Sequence, residues 1–205
     1  VRRLLLIAAV LPLLPLLAAC GGGSTPSSLG PAAHEIDVGN KQLTAFKKQT
    51  SIPNCPRVTP AGVDGGMPAV TLPCLGGGRS VDVAGLRGPM IVNFWAGWCS
   101  DCRKEVPALA AYAAHQSRVQ VLGIDYLDPQ PGAALQLAKG SHVGYPLLAD
   151  PKGELDRASP LPHIPGLPLT VFLDADGSIT HVEAGAMITE DDVAAAARKY
   201  LGVAG

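Results

Sequence analysis

The run Met90-Ile91-Val92-Asn93-Phe94-Trp95 constrains the fold most. It is short and almost wholly apolar, with Gly88-Pro89 before it and Gly97 after it. Such a run reads as a strand buried on both faces. Residues 100–115 then read as a helix, because Val106, Leu109, Ala110 and Ala113 recur at helical spacing on one face. Val119–Asp125 is a second apolar strand. Pro131–Lys139 is a helix with proline in its first turn. Leu169–Asp174 is a strand, Asp174-Ala175-Asp176-Gly177 a turn, and Ser178–Glu183 the returning strand. Thr189 is a good N-cap for a last helix. Glu190, Asp191 and Asp192 fill its first turn, Val193, Ala197 and Leu201 share a face, and Gly202 stops it. Upstream, Ala69–Cys74 and Arg79–Val83 flank Gly76-Gly77-Gly78 and read as a β-hairpin. Ala45–Gln49 is weakly helical, and Ile52–Pro56, with two prolines and Cys55, is loop. The order is a hairpin, then β-α-β-α, then β-β-α. Strand–helix alternation of this kind predicts an α/β sandwich with parallel strands in its middle.

The composition permits that core and excludes other classes. Of 205 residues, 47% are hydrophobic and 16% charged, which rules out a disordered chain. Sixteen Lys and Arg against seventeen Asp and Glu leave a formal net charge of −1 with no long run of one sign. Nothing therefore points to nucleic acid as a partner. Aromatic residues, at 4%, are too few for a base-stacking platform.

The first residues read as an address. Arg2 and Arg3 precede the uncharged stretch Leu4–Ala19, which ends at Cys20. A basic start, a short apolar run and small residues at its end describe a secretory signal. As a helix the stretch spans about 24 Å, short of the ~30 Å hydrocarbon core of a bilayer. Leu17-Ala18-Ala19-Cys20 resembles the lipobox of bacterial lipoproteins. That resemblance implies cleavage before Cys20, acylation of Cys20, and a domain tethered outside the cytoplasm. Residues 20–33 are uncharged and rich in Gly, Ser and Pro, the composition of a flexible tether. The expected organisation is a signal peptide over 1–19, a linker with lipidated Cys20 over 20–33, an N-terminal extension over 34–65 and a folded domain over 66–205.

The chemistry lies in Trp98-Cys99-Ser100-Asp101-Cys102. Two cysteines two residues apart can close a small disulfide across the first turn of a helix. Cys99 falls where the helix begins. Unpaired backbone N–H groups and the helix dipole favour a thiolate there, which makes the thiol a nucleophile near neutral pH. Cys102, one turn on, lies behind it and is placed to resolve a mixed disulfide. Half of a zinc site and a purely structural bridge are the other readings of such a pair. Zinc needs two more ligands, and Cys55 and Cys74 form no second C-x-x-C. A loop this short removes little chain entropy, so it is a poor staple.

The segment Asn93-Phe94-Trp95-Ala96-Gly97-Trp98-Cys99-Ser100-Asp101-Cys102-Arg103-Lys104-Glu105-Val106-Pro107 resembles the active-site segment of thioredoxin-fold proteins. More narrowly it is similar to the extracytoplasmic TlpA/ResA-like thiol–disulfide oxidoreductases. Asn93 stands where cytoplasmic thioredoxins carry a buried acidic residue. Glu105 and Pro107 complete the subgroup's C-x-x-C-x-x-E-x-P. Gly166-Leu167-Pro168-Leu169-Thr170-Val171-Phe172-Leu173 resembles its second signature, a cis-proline loop running into a strand. The resemblance covers roughly residues 66 to 202. It implies a thioredoxin-like three-layer sandwich with a mixed central sheet, an N-terminal β-hairpin and an αβ insertion over Asp125–Asp150.

By the same resemblance Cys99 is the attacking cysteine and Cys102 the resolving one. Pro168 is the cis-proline facing the disulfide, so that Leu167 pairs with a substrate chain through its backbone; an ordinary trans turn is the plain reading of Pro168. Trp98 and Trp95 read as part lid and part core, with Trp95 mainly core. Glu105 has two readings: a local base for the Cys102 thiol, or a solvated helix carboxylate paired with a nearby base. Ser100-Asp101 departs from relatives that carry proline before the second cysteine. Asp101 sets a negative charge beside Cys99, which opposes the thiolate while the helix N-terminus favours it.

With Cys20 acylated, Cys55 and Cys74 remain to pair. Their bridge closes about twenty residues, worth roughly 3 kcal/mol if unstrained. A structural role is expected, with an electron-relaying second pair as the alternative. The five histidines are scattered, and His163 is the one nearest Pro168 in sequence. A copper-handling protein in the style of Sco needs a wider C-x-x-x-C, and the nucleophile setting of a peroxidase is not evident. The resemblance thus implies a reductase of disulfides in exported proteins, apocytochrome cysteines among them, with an oxidase of secreted chains as the alternative. It needs no cofactor or metal. It draws its electrons from a membrane partner and sits on the outer face of the cell membrane.

Overall fold

The computed structural model describes residues 35–59 and 61–203. The expected signal peptide and the linker with Cys20 lie outside them. Helix α1 (Lys41–Lys47) is capped by the Asn40 side chain, which accepts from Leu43 N. It starts earlier than the weak pattern over Ala45–Gln49 suggests. Strands β1 (Thr71–Leu72) and β2 (Val81–Asp82) pair antiparallel as the expected hairpin, each only two residues long. They are followed by β3 (Met90–Trp95), α2 (Cys102–His115), β4 (Gln120–Tyr126), α3 (Pro131–Gly140), β5 (Leu147–Asp150), β6 (Leu169–Leu173), β7 (Ile179–Ala184) and α4 (Glu190–Leu201). Thr189 and Asp192 close a reciprocal capping box on α4, and Gly202, at φ 64°, ends it in the left-handed region.

The main sheet runs β5-β4-β3-β6-β7. β3 pairs parallel with β4, β4 parallel with β5, and the β3/β6 and β6/β7 pairs are antiparallel. β3 is central, and all six of its residues are buried. Its alternate residues feed two cores. Ile91 and Trp95 pack with Val106 and Leu109 of α2, Leu135 of α3, and Val193 and Ala197 of α4. Val92 and Phe94 pack with Leu72, Val81, Leu155 and Leu161 on the other face. The layers are therefore unequal. The four helices feed the first core, and the hairpin plus the 155–164 loop, with its 3-10 turn Leu155–Arg157, covers the second face.

α3 and β5 occupy the αβ insertion expected over Asp125–Asp150. The strand expected over Ala69–Cys74 is divided instead. Thr71–Leu72 pairs with β2, while Pro73–Leu75 lies along the outer edge of β5, through Ala149 N to Pro73 O at 2.9 Å and Leu75 N to Leu147 O at 2.9 Å. Pro73 has no N–H to give, so an edge position suits it. Cys55 and Cys74 are joined there, with Cα atoms 5.9 Å apart. The buried Lys47 ammonium donates to Leu75 O at 2.9 Å and lies 3.1 Å from Cys74 Sγ; burial holds its pKa below the ordinary lysine value. Within the extension over 34–65, Val38, Leu43 and Ile52 enter the first core and Cys55 the second. No helix among the described residues is long and apolar enough to cross a membrane.

Candidate active site

β3 delivers the chain to the site. Beyond Trp95 it turns through Ala96–Asp101 and enters α2 at Cys102, two residues later than the sequence pattern suggests. Cys99 therefore precedes the helix rather than opening it. Its sulfur still meets the helix N-terminus, because Cys102 N donates to Cys99 Sγ at 3.1 Å. Asp101, the residue before α2, makes no side-chain cap and pairs with Lys104 at 2.7 Å, facing solvent. Cys99 and Cys102 are disulfide-bonded with Cα atoms 5.3 Å apart. Cys99 is 6% exposed and Cys102 is fully buried. The first sulfur is thus the reachable one, and the Cys102 backbone N–H is aimed at it.

The insertion holds the loop before Cys99. Gly97 N donates to Asp128 Oδ2 at 2.7 Å, and the exposed Trp98 gives its indole N–H to Leu127 O at 3.3 Å. Arg103 returns from α2 to bind Gly97 O through Nε and Nη2, at 3.0 and 2.7 Å. A side chain at Gly97 has no room: a Cβ there would lie 3.0 Å from both Ala134 N and Asp128 Oδ2. Asp128 also accepts from Gln130 N at 2.7 Å. Beside it Asp125 is almost fully buried. Its carboxyl pKa is driven well up by burial first, then by the charge of Asp128 and their shared hydrogen bond. The site thus favours the neutral form of the Asp125 carboxyl. Asp125 and Asp128 were not singled out from sequence; the visible signal was an aspartate inside an otherwise apolar strand.

Glu105, one turn beyond Cys102, is fully buried, which overturns the solvated-carboxylate reading. It takes hydrogen bonds from Asn93 Nδ2 at 2.7 Å and from Met187 N at 3.1 Å. Burial raises its pKa from 4.5 to about 7, against the pull of those two donors. Asn93 also reaches Thr170 Oγ1 at 3.1 Å. The position that carries an acid in cytoplasmic thioredoxins here steers an acid that arrives from the helix. Burial first, and then the charge of Glu105, raise the pKa of the Tyr145 phenol.

Three buried side-chain polar atoms lack a partner among the described residues: Asn93 Oδ1, Trp95 Nε1 and Asp125 Oδ1. Trp95 is two residues past Asn93 and is the parallel-ladder partner of Asp125, so all three project to the α2 face. A polar seam runs there through an apolar layer. Trp95 is fully buried, as its core reading expects.

The Leu167–Pro168 bond is cis. Pro168 directly precedes Leu169, which pairs with Phe94, and so lies level with Trp95 at the end of β3 that leads to Cys99. Leu167 is half-buried against both cores. Gly185 N donates to Pro168 O at 3.1 Å. His163 turns to Asp156 instead, at 2.7 Å. Among the described residues no group of three or more His, Cys, Asp or Glu is placed to hold a metal ion.

Comparison with known proteins agrees with this geometry. The AhpC/TSA family profile matches residues 63–182. The thiol:disulfide interchange protein DsbE homolog of Paracoccus denitrificans is 37% identical over 106 residues, 51% of this chain and 55% of that protein, so the chain spans about half of that relative's length. The thiol:disulfide interchange protein HelX of Rhodobacter capsulatus is 35% identical over 150 residues, 71% of this chain and 80% of that protein. Among solved structures, a secreted Mycobacterium tuberculosis disulfide oxidoreductase homologous to E. coli DsbE superposes with a TM-score of 0.52 at 26% identity, over 62% of this chain and 96% of that one. That profile spans more than half of the chain, and these matches share its fold: the chain belongs to the AhpC/TSA family, as a thiol–disulfide oxidoreductase of the thioredoxin fold.

Proposed function

We propose that this protein is a lipid-anchored reductase of disulfides in exported proteins, apocytochromes among them. It works outside the cytoplasm and is reloaded with electrons by a membrane partner. One observation carries the exchange chemistry. A reachable sulfur takes a helix N-terminal N–H, and a buried carboxyl with a pKa of about 7 stands one turn behind the resolving sulfur. In the reduced protein the Cys99 thiolate attacks one sulfur of a substrate disulfide. A mixed disulfide forms, and the other substrate sulfur leaves as a thiolate that takes a proton from solvent. Cys102 gives its proton to Glu105 and attacks Cys99 Sγ. The Cys99–Cys102 bond forms, the second substrate thiolate leaves, and two electrons have passed to the substrate. Leu167 and cis-Pro168 present backbone to the substrate chain, and Trp98 lies over it. In this reading residues 1–19 are the signal peptide, Cys20 at the head of the 20–33 linker carries the lipid, 34–65 extends the 66–205 domain, and Cys55–Cys74 is structural.

The reduction potential of Cys99–Cys102, read by Trp98 fluorescence in thiol–disulfide buffers, tests the direction. A value near about −270 mV, that of thioredoxin, supports the reductase. A value near about −120 mV, that of DsbA, turns the assignment to a disulfide-forming oxidase. Absence of a reversible two-electron transition rejects both, and stoichiometric copper uptake by the reduced protein would then support a metal-binding role. Cys102→Ala should trap the substrate on Cys99 as a mixed disulfide, and Cys99→Ala should trap nothing.

A further inference from the structure

We propose that Cys55–Cys74 is a second exchangeable disulfide, which a dithiol opens by attack at Cys55 while Cys74 leaves as a thiolate held by the Lys47 ammonium. The bridge still braces the fold when closed, and its opening is separate from the exchange at Cys99. Lys47 gives the first reason. It is buried, and its ammonium meets only neutral groups: Leu75 O at 2.9 Å, Cys74 Sγ at 3.1 Å and Gly77 O at 3.5 Å. It forms no ion pair among the described residues. The charged groups on the segments beside it are engaged elsewhere. Lys139 of α3 stands over the Phe46 ring, Asp37 accepts from Gly39 N, and Glu35 pairs with Lys152. An ammonium buried without an anion costs free energy, and burial lowers its pKa. A disulfide sulfur is a weak acceptor and returns little of that cost. A thiolate in the same place supplies the missing anion.

Cys55 gives the second reason. Its sulfur lies 3.2 Å from Leu147 O, which also accepts from Leu75 N at 2.9 Å and keeps a lone pair to spare. A closed bridge has no hydrogen to give that oxygen, whereas a thiol has one. Each sulfur therefore faces the partner that its reduced form needs, a carbonyl for the Cys55 thiol and a cation for the Cys74 thiolate. Exposure repeats the order seen at the active site: Cys55 is 4% exposed and Cys74 1%. The sulfur whose thiolate is the more stable leaves the faster, so attack falls on Cys55. A thiolate of the dithiol bonds to Cys55 Sγ, the S–S bond breaks, and Cys74 departs as a thiolate beside Lys47. The second thiol of the reagent then attacks the first, and its proton passes to the departing Cys55. The dithiol ends as a disulfide and the bridge as a thiol and a thiolate, with one proton released to solvent.

The test holds the full chain in buffers of reduced and oxidised dithiothreitol from pH 6 to 8, then quenches with acid, alkylates and reads each cysteine pair by mass spectrometry. Because opening releases a proton, the equilibrium constant for reducing Cys55–Cys74 should rise about tenfold per pH unit. Near-ultraviolet circular dichroism should keep its folded signal as the bridge opens. Lys47→Met, similar in length but uncharged, should lower that constant by about tenfold or more at pH 7.5, a shift of about 30 mV for two electrons, and flatten its pH dependence. The Cys99–Cys102 constant, read in the same samples, should not move in the variant. A flat profile in the wild type overturns the proposal whether or not the variant folds. So do equal constants in wild type and variant, or reduction that occurs only as the folded signal is lost. Failure of Cys99–Cys102 to titrate strikes the oxidoreductase reading instead.

Discussion

Glu105→Gln separates the buried carboxyl's charge from its shape. The pKa of Glu105 rises from 4.5 to about 7 on folding, chiefly by burial. A shift of that size corresponds to about 3 kcal/mol between the two protonation states. The folded state binds the proton more tightly than the unfolded chain. The stabilisation is therefore complete below about pH 4.5 and is lost as pH rises through about 7. Glutamine mimics the protonated acid. It needs an acceptor for its amide, and Asn93 Oδ1, which has no partner, supplies one if the Asn93 amide turns over. Thr170 Oγ1 can donate as well as accept, so it tolerates that turn. Urea unfolding of the oxidised protein at intervals from pH 4.5 to 8.5 measures the effect. The wild type should lose about 3 kcal/mol across the range relative to the variant. Above pH 8 the variant should be the more stable, while its disulfide exchange at pH 7 falls by about a hundredfold for want of a proton acceptor. Parallel stability curves would refute the assignment of Glu105 as the group titrating near neutrality.

Cys55→Ser should lower stability by roughly 3 kcal/mol and leave exchange at Cys99 intact; loss of exchange at an unchanged melting temperature would make the Cys55–Cys74 pair a relay. Asp128→Ala strands Gly97 N and Gln130 N. The buried Gly97 N left unsatisfied should cost about 1–3 kcal/mol, and Trp98 fluorescence should change, as urea unfolding and emission spectra would show. Thr189→Ala removes the side-chain acceptor of the α4 cap and should cost about 1 kcal/mol in the same unfolding assay, with no change in potential.

Local chemistry made much of this molecule legible. β3 spans the residues its apolar run marks, α4 starts and stops at the cap and glycine that announce it, and the Leu167–Pro168 bond is cis. β5 was not read as a strand of its own: four residues between Pro146 and Pro151 leave almost no periodic pattern. The helical reading near Ala45 missed the Asn40 cap that starts α1. What sequence withheld at the site was burial. A glutamate on a helix defaults to solvent, and only the return of the 185–188 segment over α2 closes Glu105 off, with Met187 N as its donor. The Asp125–Asp128 pair likewise exists only because the turn after β4 folds back beneath Gly97.

The division of residues 69–75 between two partners bears on solubility. A sheet offers two rows of unpaired backbone groups, and another chain can add to either. On one side β7 meets solvent as a half-exposed strand carrying Thr180, His181 and Glu183, residues that discourage a second sheet from stacking on. On the other, β5 is wholly buried and apolar over Leu147-Leu148-Ala149, the kind of edge that seeds strand addition. Pro73–Leu75 covers that edge and ends it with a residue that cannot donate, and the Cys55–Cys74 bond latches the cover in place. A reductant strong enough to open the latch would therefore do more than loosen a loop: it would uncover the adhesive edge of a protein whose own trade is the exchange of disulfides.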